Sequence, residues 1–155
     1  MADIGDGEEY LVRGALLKCS AGTHPRRLNL MKDHGVQMDT EEYNYPFVHE
    51  MDCVPGPTGN VDYFGICNNI PENPSSSITL QAVDENNQLT GGVVTGMKCT
   101  PSFVPQKWNQ TKEDTRLGGL EGQKMVTMKS CLMCPLGGKI TPVTSGREYK
   151  GEQDS

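Results

Sequence analysis

A long apolar run is missing from this sequence. No stretch approaches the roughly 20 apolar residues of a membrane-spanning helix, so the chain is not expected to insert into a bilayer on its own. A basic surface is missing too. Lys and Arg number 14 against 20 Asp and Glu, a net charge of −6, whereas nucleic-acid recognition needs a concentrated positive field. The one dense basic cluster, Arg26–Arg27 with Lys18 and Lys32 nearby, reads as a solvated strand edge or a partner contact. Aromatic residues make up only 6% of the chain and apolar residues 35%. A core built from so little material benefits from a covalent or metal staple.

Several catalytic signatures are also lacking. There is no G-x-x-x-x-G-K-[ST] and no G-x-G-x-x-G before a helix, so Gly118–Gly119 and Gly137–Gly138 are expected in tight turns rather than around a phosphate. His49 lies near Cys53, but no third group or oxyanion hole marks a nucleophilic site. The start, MADIGDGEEY, has neither a basic n-region nor an apolar h-region, so a signal peptide is not expected. Six cysteines in a protein that begins in a cytoplasm are expected as free thiols or metal ligands rather than disulfides. Oxidation after export by a route without a signal peptide would be a separate event.

What is abundant is turn chemistry. The chain holds 18 glycines and 10 prolines, and its apolar runs are short. YLVRGALLKC (10–19) reads as a strand bent at its central glycine. HGVQM (34–38), YPFVHEM (45–51), YFGIC (63–67), ITLQAV (78–83), VVTGMKC (93–99), QKMVTMKSCLMC (123–134) and GGKITPV (137–143) read as further strands. CVPGPTGNVD (53–62), NNIPENPSSS (68–77) and DENNQLTGG (84–92) read as loops and turns. No segment supports a helix of more than two turns, and the fold class is all-β. The polar ends, residues 1–9 and 147–155, read as disordered tails around one domain spanning 10–146.

The cysteines follow a pattern. Three strand-like runs end in cysteine: ALLKC at Cys19, TGMKC at Cys99 and SCLMC at Cys134, with YFGIC at Cys67 a looser fourth. If this repeat is structural, the strand ends bring several thiols together. Cys131 and Cys134 form the only C-x-x-C, so neither a two-pair zinc ribbon nor a helix-borne redox dithiol is expected. Three residues apart on one strand, they face opposite sides. Cys19 and His24 flank the turn SAGT at a spacing that could place both on one metal, and His34 begins HGV. Metal ligation, later disulfides and plain burial all remain open for the cysteines at this stage.

The ordered motifs resemble a known group. YLVRGALLKCSAGTHPRRLNL at the start, HGV at 34–36, DCVPG at 52–56, FGIC at 64–67, CTP at 99–101, Trp108 and SCLMCPLGGKI at 130–140 together resemble the PAAR-like proteins of bacteria. The match runs from about residue 10 to 146. It departs at 68–92, where many relatives carry an Ala-rich stretch, and Cys131 is a local extra. The resemblance implies a small cone or prism of short strands with pseudo-three-fold character. Such a tip caps and sharpens the trimeric (VgrG-like) spike of a contractile injection or type VI secretion system. It has no enzyme activity, is made in the bacterial cytoplasm and leaves with the spike, and can help to load a separate effector or chaperone. It also implies a structural zinc near the apex, for which the candidate ligands are Cys19, Cys67, Cys99 and Cys134, then His24 and His34. Six candidates exceed the four ligands of a structural zinc. The reading from another class is a stand-alone adaptor that binds a toxin or chaperone and never meets a spike.

Overall fold

The computed structural model describes residues 9–30, 37–39, 44–71, 73–84, 86–117 and 123–148. Its regular structure is almost entirely β. The strands are β1 (Leu16–Cys19), β2 (Arg26–Arg27), β3 (Gln37–Asp39), β4 (Asn44–Pro46), β5 (Ile78–Val83), β6 (Leu89–Gly96), β7 (Lys112–Leu117), β8 (Gln123–Met125), β9 (Leu132–Met133) and β10 (Lys139–Pro142). The sole helical element among the described residues is a 3-10 turn at Pro74–Ser76, opened by Asn73, whose side chain accepts from the Ser75 amide. No helix among them is long and apolar enough to cross a membrane.

A four-stranded antiparallel sheet in the order β2-β1-β10-β9 joins the two ends of the chain, and three two-stranded ribbons, β3-β4, β5-β6 and β7-β8, surround it. In β1, Leu16 and Leu17 are buried while Lys18 is exposed. Cys19 pairs with Ile140 and Leu17 with Pro142, so the first long strand is locked against the last. The expected strand over 10–19 is interrupted at Arg13–Gly14: Tyr10 bridges Thr127 and Val12 bridges Phe47 before the chain turns into β1. Segment 123–134 is likewise two pieces, β8 and β9. β6 starts at Leu89, inside the stretch expected as a turn. The ribbon strand β7 was not anticipated, because KEDTRL has no apolar alternation to betray it.

The core gathers Leu11, Leu17, Leu28, Val48, Val61, Phe64, Phe103, Trp108, Val126, Leu132 and Ile140 from all along the chain. Each such side chain, once fully buried, contributes about 1.5–3 kcal/mol. Trp108 is 1% exposed. Its indole N–H donates to the Asp52 carbonyl (3.0 Å) and its amide to the Glu50 carbonyl (2.8 Å), so one residue fills the core and ties down the 50–53 turn. Glu50 itself is buried and accepts from the Lys124 amide (2.8 Å), with the Lys107 ammonium 3.6 Å away. The ends of the domain are held by polar contacts. Arg147 pairs with Glu9, Ser145 Oγ donates to Glu9 (2.8 Å) and Arg27 pairs with Glu148 (2.6 Å). The outer parts of the expected tails, 1–8 and 149–155, lie outside the described residues.

Candidate metal centre

Four cysteines, distant in sequence, are brought together by two local devices. The first is a three-stranded miniature ladder. Cys67 bridges Gly22 on one side, with Thr23 N–H donating to Ile66 O (3.1 Å) and Asn68 N–H to Ala21 O (2.7 Å). On the other side Ile66 bridges Lys98, with Cys67 N–H on Met97 O (2.9 Å) and Cys99 N–H on Gly65 O (2.8 Å). Cys67 therefore lies opposite Met97 and Cys99 opposite Gly65. Side chains alternate faces along a strand, so Cys67 and Cys99 share one face as diagonal neighbours.

The second device is the turn after β9. Cys134 N–H donates to Gly138 O (2.9 Å) and Gly137 N–H to Cys134 O (2.9 Å). Gly137 sits at φ 99°, a left-handed conformation in which glycine pays no steric penalty. The turn lays Cys134 beside Gly138, and Gly138 beside Cys19 at the end of β1: a Cβ on Gly138 would stand 2.6 Å from Cys19 Sγ and 3.8 Å from Cys134 Cβ. The β1 end reaches the ladder through the turn closed by Gly22 N–H on Cys19 O (3.0 Å).

Electrostatics links all four. Burial pushes the Cys19 thiol up; a backbone hydrogen bond with Ala21 opposes this, and the neighbouring Cys134 and Cys67 add to the rise. Burial pushes Cys99 up to about 11, against a backbone hydrogen bond with Phe64, and Cys19, Cys67 and Cys134 push the same way. Cys19, Cys67, Cys99 and Cys134 are therefore near neighbours, and a charge on one of the others makes a charge on Cys19 or Cys99 costlier still. All six cysteines are free thiols. Among the described residues, no three His, Cys, Asp or Glu side chains already stand around a common point as a ready metal site. An open cleft of about 200 Å³, lined by Lys18, Cys19, Thr23, His24, Val83 and Asp84 among others, leads from solvent to half-buried Cys19.

The other candidates fall elsewhere. Both ring nitrogens of His24 are engaged, Nε2 with the Gln81 carbonyl (2.7 Å) and Nδ1 with Thr23 Oγ1 (2.8 Å). A carbonyl only accepts, so Nε2 carries the proton and Nδ1 receives the Thr23 hydroxyl proton. Thr23 Oγ1 in turn accepts from the Ile66 amide (2.9 Å), which makes His24 a strut between the ladder and β5. His34 lies outside the described residues. Cys131 is buried in a separate bridge with Asn109. His49 has a carboxylate beside it that the sequence did not single out, Asp52 at 3.5 Å. Cys53, however, has no exposed surface, and burial with Asp52 nearby pushes its thiol to about 12, the reverse of an activated thiolate.

Two outcomes follow from this geometry. In metal-free protein at neutral pH, Cys53 and Cys99 should resist alkylation over times in which an unfolded control reacts fully. Their thiols hold their protons above the ordinary value of 9.0, whereas unfolded thiols ionise near it. The unfolded chain therefore releases protons first, and the metal-free fold should lose stability as pH rises from 9 toward about 12. Thiol quantitation by mass, and urea midpoints across that range, check both. Substituting Gly138→Ala should displace the Cys19 thiol, because 2.6 Å is well inside contact distance. The expected cost is at the low end of overpacking, about 1 kcal/mol, because the thiol is the end of a side chain that can rotate away.

Residues 11–147 match the family described as Domain of unknown function (DUF4280). No curated protein and no solved structure matches the chain.

Proposed function

The chain belongs to this DUF4280 family, and we propose, on the motifs and cysteines described above, that it is a PAAR-like tip: a non-enzymatic cap on the trimeric spike of a contractile injection system, stapled by a structural zinc. The observation that carries the reading is the convergence of Cys19, Cys67, Cys99 and Cys134 from four separate segments. The order of motifs shared with PAAR-like proteins over nearly the whole chain supports it.

The donor set fits zinc in kind and number. Structural zinc takes four N or S ligands in a tetrahedron, and four thiols lie together here with a solvent route to Cys19. Side-chain rotation would have to draw them in, since no three such side chains among the described residues form a ready site. Zinc bound there would supply a cross-link between four segments where a narrow end has too little apolar material to hold itself. Each segment has its own part. β1 and the turn at Gly137–Gly138 present Cys19 and Cys134, the miniature ladder presents Cys67 and Cys99, and His24 braces the ladder against β5. The short strands and frequent turns suit a single chain that must meet three equivalent spike subunits. The chain is made in the bacterial cytoplasm and leaves with the spike, and a separate effector or chaperone can ride on it.

Electron microscopy of contractile particles carrying a tagged copy of this chain tests the reading. The label is expected at one end of the particle, in a single copy. Particles that assemble and carry the spike without this chain, or a chain bound only to a soluble toxin, would refute it.

A further inference from the structure

Arg26 and Arg27 are neighbours in β2, yet the fold uses them differently. Arg27 donates to the Gly14 carbonyl (2.8 Å) and pairs with Glu148. Arg26 donates through Nε to the Tyr63 carbonyl, and its guanidinium carbon lies 4.5 Å from the centre of the Tyr63 ring. The Lys98 ammonium lies 4.5 Å from the same centre. The two charges therefore stand within about 9 Å of each other. Asp62, next to Tyr63 in sequence, accepts from the Tyr63 amide (2.8 Å). Among the described residues, no carboxylate pairs with Arg26 or Lys98, and no acceptor takes the Arg26 Nη protons.

An aromatic ring attracts cations through its quadrupole but carries no net charge. Two positive charges therefore remain at one spot of a chain whose net charge is −6. Backbone bonds set their positions. Thr23 N–H on Phe64 O (3.1 Å) ties the turn before β2 to the segment carrying Tyr63, and Cys99 N–H on Gly65 O (2.8 Å) ties that segment to the one carrying Lys98. Arg26 is half-buried and Lys98 is exposed. With Nε held by Tyr63, the Arg26 Nη groups are left to donate. A guanidinium offers its N–H groups as a planar fork that matches a carboxylate, and an ammonium nearby adds a mobile point charge.

We propose that Arg26, Tyr63 and Lys98 form a contact site for an acidic side chain, Asp or Glu, of a partner protein. Arg26 holds the carboxylate by charge-assisted hydrogen bonds, and Lys98 adds the second charge. Tyr63 keeps both cations in place before the partner arrives, which lowers the ordering cost of binding. Charge complementarity selects the ligand: the site is the one spot where two unpaired cations share a ring among the described residues. A nucleic acid fits poorly, because its row of phosphates would meet a single cationic spot within an acidic field. The inference depends on neither the zinc nor the spike.

The test uses the full-length chain, a displayed library of about ten-residue peptides as the probe, and the variants Arg26→Gln, Lys98→Gln and Lys139→Gln. Lys139 is exposed on β10, so its variant removes the same charge elsewhere. The enriched peptides are expected to share an Asp or Glu. Affinity should fall about tenfold for Arg26→Gln and about threefold for Lys98→Gln, change less than about twofold for Lys139→Gln, and weaken between about 0.05 and 0.5 M salt. Exchanging the shared acid of the peptide for its amide should cost about tenfold with the parent and little with Arg26→Gln, the mark of a direct pair. Lys98→Gln breaks no backbone bond, so it carries the same comparison if Arg26→Gln fails to fold. The proposal is overturned if no peptide with a shared acid is enriched, if the acid and its amide bind the parent equally, if Lys139→Gln weakens binding as much as Lys98→Gln, or if a single-stranded oligonucleotide binds more tightly than the peptides.

Discussion

With the proposed zinc staple in place, stripping the metal from the purified protein is expected to lower its melting temperature by about 10–20 °C. Cys19 and Cys99 are held protonated by burial and by their neighbours in the metal-free state. A divalent ion would displace those protons and hold the resulting thiolates around one charge. The cross-link would join β1, the miniature ladder and the β9–β10 turn, segments that the unfolded chain leaves far apart. A net loss of about 3–5 kcal/mol on removal corresponds to the stated shift for a domain of this size. Because protons compete with the ion for the same sulfurs, the difference between loaded and stripped protein should shrink as pH falls. Cys99→Ser should reproduce the stripped behaviour, and Cys131→Ser should leave zinc content unchanged, since Cys131 sits in its own bridge with Asn109. Calorimetry with and without a chelator, alongside elemental analysis, checks each of these.

Replacing Trp108 should cost about as much by a different route. Trp108→Ala removes a large core side chain that is 1% exposed and strips the Asp52 carbonyl of its indole partner. Large-to-small changes of this kind cost about 3–5 kcal/mol, a substantial fraction of the roughly 5–15 kcal/mol that holds a domain together. Trp108→Phe keeps most of the ring but removes the indole hydrogen bond to the Asp52 carbonyl, for about 1 kcal/mol. Urea unfolding measures both. Under the folded baseline, zinc content should be that of the parent, which separates loss of core from loss of the metal centre.

The all-β class and most of the strands were legible because β-branched and apolar residues alternate between clusters of Gly, Pro and Asn. The pattern of cysteines at the ends of strand-like runs pointed to the four thiols. It could not place them, since the ladder that aligns Cys67 with Cys99 rests on backbone bonds from Gly65 and Met97 that no side-chain pattern encodes. The spacing of Cys19 and His24 suggested a shared metal, but the same spacing puts His24 within reach of Thr23 and Gln81, and those bonds occupy both ring nitrogens. β7 was hidden because KEDTRL is mostly charged and has no apolar alternation. Asp52 beside His49 was adjacent in sequence, yet its role depends on a turn that Trp108 closes from 56 residues away. Glu50 gave no sign of burial, because a lone carboxylate reads as surface until its Oε2 is seen to accept from the Lys124 amide.

Native mass measurement of the chain co-expressed with the trimeric spike protein tests the central claim most directly. One mass is expected, equal to three spike subunits, one copy of this chain and one zinc ion. A spike trimer that repeatedly comes through without this chain, or a complex with three copies of it, would contradict the account.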